Sequence, residues 1–360
     1  MILENRGEIY SETGNAIKAS KGEFDTVVVE INNYGSIKAP GEEGKNSNGK
    51  RAGYAILIDP RVEAEVNLYD GSEVIGGIYS GAMPARNNEL NLISEAGNEN
   101  TLTSIITGSW DLSKKGEGTW ILSGENQYSG TTSIDAGTLQ LGNVKAIPQR
   151  SLTTVSGTGR LDLISRNVSG DFSIDELSIV EGGQLFVSAD QPLKANKITL
   201  SANGLKNIGG IAVALNEKND APILIKGDEA NSFDYQSGKL VVSAPSTDKP
   251  VGNWKIIDGY VENADELAEN TFFVVGEDAY QFDGLGEDFA VDGGIAVYEG
   301  YLKKGSLELV IAAKSGTDLN CDLNPMADGC DKEPDKPVTP PIQLPSPDGA
   351  GGQRTAGRGW

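Results

Sequence analysis

Residues 112–143 read LSKKGEGTWILSGENQYSGTTSIDAGTLQLGN. Thr119-Trp120-Ile121-Leu122 alternates sides as a strand does, and Ile134 and Leu139-Gln140-Leu141 repeat the pattern. Gly116, Gly118, Gly124, Gly130 and Gly137 lie between these runs and are expected to supply turn dihedrals that a Cβ tolerates poorly. Asn126 is suited either to bonding backbone at a corner or to stacking on an equivalent asparagine in the next coil. Tyr128 is expected to lay its ring on the coil and keep its hydroxyl in water. A unit of about three short strands in roughly 30 residues, with glycine at each corner, cannot bury its apolar face alone and must stack on neighbours.

Outward from this stretch the same chemistry continues. Short runs such as TVVVEI, YAILI, LNLI, LSIV, KITL, IAVAL, KLVV and LELVI are separated by Gly, Asn, Asp and Ser, which is strand chemistry with turn chemistry between. Only ADELAEN, at 264–270, reads as a helical turn. Upstream, Asn5-Arg6-Gly7-Glu8-Ile9 recurs as Asn33-Tyr34-Gly35-Ser36-Ile37, and more loosely as Asp70-Gly71-Ser72-Glu73-Val74. Ala16-Ile17 and Ala55-Ile56 follow the first two copies, the second after the polar insertion EEGKNSNGKR. Imperfect repeats with insertions at turns suit stacked coils, because each coil touches only its neighbours. A sandwich with chance turns is the alternative.

The stretch at 112–143 resembles the passenger-associated transport repeat of Gram-negative autotransporters. Its matching positions include Gly116, Gly118, Thr119, Leu122, Gly124, Asn126, Tyr128, Gly130, Thr132, Gly137, Thr138, Leu139 and Leu141, with Lys114 or Lys115 ahead of them. VSGTGRLDL, at 155–163, looks similar to further passenger coils. The resemblance implies an all-β, right-handed parallel β-helix. With about 4.8 Å per coil and roughly 20 to 25 residues in each, it would be a rod on the order of 60 to 70 Å long. Residues 1–249 are then the helix, 250–314 a C-terminal cap resembling an autochaperone region in position, and 315–360 a linker. The implied function is a non-catalytic stalk at the cell surface or secreted, supporting export, presenting an upstream module, and adhering to host or neighbouring cells. Its implied partner is its own outer-membrane barrel, for which residues 315–360 are too short. Alternatives are a polysaccharide-active β-helix enzyme and the stalk of a subtilisin-like protease.

Composition narrows the chemistry. The chain of 360 residues has no histidine, which removes Ser-His-Asp and Cys-His machinery and ordinary zinc sites. With 52 acidic against 30 basic residues, a net charge of -22 argues against nucleic acid and anionic lipid as partners. No GxSxG occurs, and Ser133 lies within the structural repeat. No catalytic residue, cofactor or metal is expected. Trp110 and Trp120 are expected in the core or at a coil edge, not on a carbohydrate platform. No apolar run reaches the length of about 20 residues that spans a bilayer. MILENRGEIYSE lacks the features of a secretory signal, so the chain is expected to be cytosolic or a piece of a longer exported protein.

Two regions raise further questions. Ten acidic and no basic residues lie between Asp258 and Asp288, and DLNCDLNPMADGCD places Asp318, Asn320, Asp322 and Asn324 at alternate positions. Calcium would suit either, but neither has a complete calcium loop; solvated charge that blocks edge pairing is the favoured reading of the first. Cys321 and Cys330 are the chain's two cysteines and read as a disulfide closing a short loop, worth about 2 to 3 kcal/mol. Free thiols and a metal half-site are the alternatives. Seven of the fifteen prolines fall in the last 46 residues, the composition of an extended linker.

Overall fold

The computed structural model describes residues 1–20, 27–39, 53–81, 87–204, 209–226, 232–245, 251–275, and most of 278–313. The insertion at 42–51, the cysteines and the proline-rich tail lie outside the described residues.

Strand Val62–Leu68 shows how the sequence makes a coil. Val62, Ala64, Val66 and Leu68 are buried while Glu63 and Glu65 face outward, the period of two that a pleated strand imposes. Its neighbours run parallel on both sides, Val27–Asn33 below and Asn88–Ile93 above. Inward side chains therefore stack. Ile31 lies under Val66, Val66 under Leu90, and Leu90 under Leu112. A second inward column is isoleucine throughout: Ile17, Ile56, Ile78 and Ile106. Each fully buried member removes enough apolar surface to contribute about 1.5 to 3 kcal/mol before entropy is counted. The sequence units at Asn5, Asn33 and Asp70 stack as the repeat reading requires, with Ile9, Ile37 and Val74 in register. The fold is a parallel β-helix.

An outward column can be followed from Glu4 through Asn32, Asn67, Asn91, Ser113, Ser133, Thr154, Ser178 and Thr199 to Asp234 and Glu262. At about 4.8 Å per step, these ten steps make a rod roughly 50 Å long. This is shorter than expected, because coil length varies. Asn126 and its partners above and below are 20 residues apart, but Asn5 and Asn33 are separated by 28, and Asn32 and Asn67 by 35. The longer coils take up chain in their corners.

Strand sense changes near the C-terminus. Gly252–Asp258 pairs antiparallel with Leu307–Ala313, and Thr271–Val275 with Asp278–Gln281. Phe289–Asp292 and Val297–Leu302 form another antiparallel pair. ADELAEN yields the short helix α1, Ala264–Glu269, which buries Leu267 and Ala268. Among the described residues no helix is long and apolar enough to cross a membrane.

The repeat coil as candidate functional site

Strand Trp110–Lys115 points Trp110, Leu112 and Lys114 inward by the same alternation that governs every coil. Lys114 thus stands in an inner column between Leu92 and Ile134. Its ammonium donates to the carbonyls of Lys115 at 3.0 Å, Gly116 at 2.6 Å and Ala136 at 3.0 Å, the last on the next coil. Burial pushes its pKa down to about 8, against the opposing pull of Glu117 and Asp70. At the same corner, burial works to raise the Asp70 carboxyl. Hydrogen bonds from the Glu95 N–H, Asn98 and Asn100, with the Lys114 charge, outweigh it and hold Asp70 below the usual range.

Asn126 resolves the choice between corner bonding and stacking. Its Oδ1 accepts from the Ile106 N–H at 2.8 Å, and its Nδ2 donates to the Ala146 carbonyl at 2.7 Å. One side chain thereby ties the coil before it to the coil after it. Tyr128 differs from expectation. Its ring is buried and its hydroxyl is dry, paired with Thr132 Oγ1 at 2.7 Å, which in turn meets Ser151 Oγ at 2.9 Å. Burial pushes the phenol up, only partly offset by the hydrogen bonds to Thr132 and Ser151. The network satisfies hydroxyls that Thr132 carries into the apolar interior.

The glycines also divide by cause. Gly116 and Gly137 have φ of +73° and +63°, as the turn reading anticipates. Gly118, Gly124 and Gly130 do not adopt positive φ. A Cβ there would lie 2.2, 2.3 and 2.2 Å from the carbonyl oxygens of Glu95, Ser104 and Trp110 on the coil below. Close approach between coils, not turn conformation, excludes side chains at these three. Leu122 and Leu139 are buried, and the strand Thr132–Leu141 that follows carries an irregularity of register between Ile134 and Ala136.

The residues weighed for chemistry fall into structural places. Ser133 Oγ donates to Ser113 Oγ at 2.9 Å within the outward column. Trp110 and Trp120 are both buried, and neither indole N–H has a partner. Of the acidic run, Asp258, Glu262, Asp265, Glu266 and Glu269 lie on the strands and helix near the change of strand sense. Among the described residues no group of three or more Asp, Glu, His or Cys is placed to hold a metal ion. Sequence reasoning missed Lys114 as a core residue, although the alternation of Trp110 and Leu112 already points it inward.

The chain matches the passenger-associated-transport-repeat family over residues 112–141, the coil just described. It is 32% identical over 117 residues to the adhesin BmaC autotransporter of Brucella suis biovar 1 (strain 1330). That match covers 31% of this chain and only 3% of the relative's length. No solved structure matches the chain. Stacked parallel coils, the repeat and the relative agree: the chain carries a passenger-associated-transport-repeat within a parallel β-helix and is similar over that part to autotransporter passenger sequence.

Proposed function

We propose that this chain is a non-catalytic β-helical stalk that presents an upstream module at the surface of a Gram-negative cell. The observation that carries the reading is the continuity of the inner columns through the repeat coil: Leu90, Leu112, Thr132 and Thr153 stack without a gap, so the repeat is a rung and not a separate site. Residues 250–314 act as the cap and folding core in this reading, and 315–360 as the linker to an outer-membrane barrel. The antiparallel strands there support the assignment, since they replace the parallel edge on which another coil could grow. A disulfide between Cys321 and Cys330, nine positions apart in the sequence, would close a loop small enough to pass a narrow pore. The relative's description as an adhesin extends the proposal to contact with host or neighbouring cells.

The test is surface display of the parent protein in a bacterial host, with and without residues 250–313. Retained export but loss of protease-resistant passenger is the expected result. Equal resistance in both would sink the folding-core assignment. A polysaccharide screen in which the purified chain turned over any substrate would replace the stalk by the enzyme reading.

A further inference from the structure

Beside the outward column of Asn32, Asn67 and Asn91 runs a second one made of carboxylates. Glu30, Glu65, Glu89 and Asp111 stand in register on four successive coils. Like charges directly opposite one another across strands are destabilising, yet none of these four belongs to an ion pair among the described residues. The asparagines restrain part of the column: Asn32 donates to Glu30 Oε1 at 2.7 Å and Asn91 to Glu65 Oε1 at 3.1 Å.

Asn91 supplies a second, independent sign. It is 1% exposed, and its Oδ1 is buried without a partner, an expensive state for an acceptor. Its Nδ2 hydrogens are both spent on the coil below, on Glu65 Oε1 and on Asn67 Oδ1 at 2.8 Å. The oxygen is therefore turned toward the coil above, where Ser113 lies in register with Asn91 and Asp111 with Glu89. Asp111 Oδ1 is occupied by Asn87 Nδ2, the Thr131 N–H and Thr131 Oγ1, which fixes that carboxylate and leaves Oδ2 for another ligand.

We infer that a divalent cation of the calcium class binds between the coils of Glu89 and Asp111, held by both carboxylates, the Asn91 oxygen and water. Strands about 4.8 Å apart bring facing carboxylates within reach of one ion whose oxygens lie at about 2.3 to 2.6 Å. The site holds two carboxylates, in keeping with the absence of any group of three among the described residues. Such sparse charge corresponds to a dissociation constant on the order of 0.1 to 1 mM, the range of extracellular calcium modules. Magnesium, which demands a small octahedral shell and keeps its water, binds more weakly. The ion would discharge the crowded column and give the orphaned acceptor a partner.

Equilibrium dialysis of the full chain against calcium, at constant ionic strength set with sodium chloride, tests this. Saturable uptake of one ion, half-complete at about 0.1 to 1 mM, is expected, reduced about tenfold or more in affinity by Glu89→Gln or Asp111→Asn. Asn91→Asp, which adds a charge at the site, tightens binding. Asp258→Asn with Glu262→Gln, in the C-terminal acidic run, leaves it unchanged. Circular dichroism confirms that each variant is folded. No saturable uptake by the parent chain, or uptake unchanged in the Glu89→Gln, Asp111→Asn double variant, overturns the site. Uptake abolished by the C-terminal pair alone places the ion elsewhere and overturns it equally.

Discussion

Replacing Asn126 by alanine removes the acceptor of the Ile106 N–H and the donor to the Ala146 carbonyl, both within 2.8 Å of the amide. Asn126 is 5% exposed, so water reaches neither group freely. An orphaned buried donor or acceptor costs about 1 to 3 kcal/mol, and two of them about 2 to 6 kcal/mol, so a central figure of about 4 kcal/mol is expected. In a stacked array the loss is felt first by the adjoining coils. Hydrogen exchange read by mass spectrometry suits that better than a global melt. Peptides containing Ile106 and Ala146 are expected to lose protection by about 10³-fold (about 4 kcal/mol at 1.4 kcal/mol per decade), with far smaller changes near Leu3 or Leu240. Asn126→Asp sharpens the test. The carboxylate still accepts from Ile106 but faces the Ala146 carbonyl with no proton to give, so its folded pKa rises above the unfolded value of about 3.9. For an acid with a raised folded pKa, stability relative to wild type is best below about pH 4 and is lost as pH climbs. Unchanged protection at Ile106 in the alanine variant, or an aspartate variant indifferent to pH, would refute the clamp.

Lys114 gives a prediction of the opposite sign. Its folded pKa of about 8 lies below the unfolded value of 10.5, so the unfolded state holds more protons between these values. Stability is therefore expected to rise with pH across that window, by at most about 3 kcal/mol; the cost of the buried charge is fully present below pH 8. Denaturant midpoints of wild type and Lys114→Met, compared from pH 7 to 11, should converge or cross, and parallel curves would count against it. Gly137→Ala places a Cβ 2.3 and 2.4 Å from the oxygens of Gly118 and Gly116 at a φ of +63°, and is expected to leave little soluble folded protein. Gly7→Ala, with nothing within 4 Å of the added carbon, is expected to change the midpoint by less than about 0.5 kcal/mol. Intact mass of unreduced protein should be two hydrogens lighter than reduced protein if Cys321 and Cys330 are joined, and alkylation of both without reductant would show they are not.

Much of the architecture was legible because solenoid order is local. The spacing of Asn5, Gly7 and Ile9, repeated at Asn33, Gly35 and Ile37, needs only one coil to define and stacks in the structure as written. The transport repeat was legible for the same reason. What escaped depends on contacts between coils whose lengths vary. The reason for glycine at 118, 124 and 130 lies in carbonyls 20 or more residues earlier. Tyr128 was placed half in water because Thr132, its partner, is itself a hydroxyl residue carried inward, against the expectation from polarity. The carboxylate column at Glu30, Glu65, Glu89 and Asp111 was invisible, since these residues are unevenly spaced along the chain and only the corners bring them into line.

The outward column that runs from Asn32 to Thr199 has a consequence for how such a protein can change over generations. Its members are Asn, Ser and Thr, small polar side chains that each tolerate any of the others above or below. A duplication or loss of one whole coil would set like on like in this column and in the isoleucine column alike. The rod could lengthen or shorten by about 4.8 Å at a time without disturbing what lies at either end. A single-residue insertion within a strand has no such freedom, because it would turn every later side chain in that strand to the wrong face. Reach is thus heritable in discrete steps, adjustable by recombination between coils while the chemistry displayed on top is left alone.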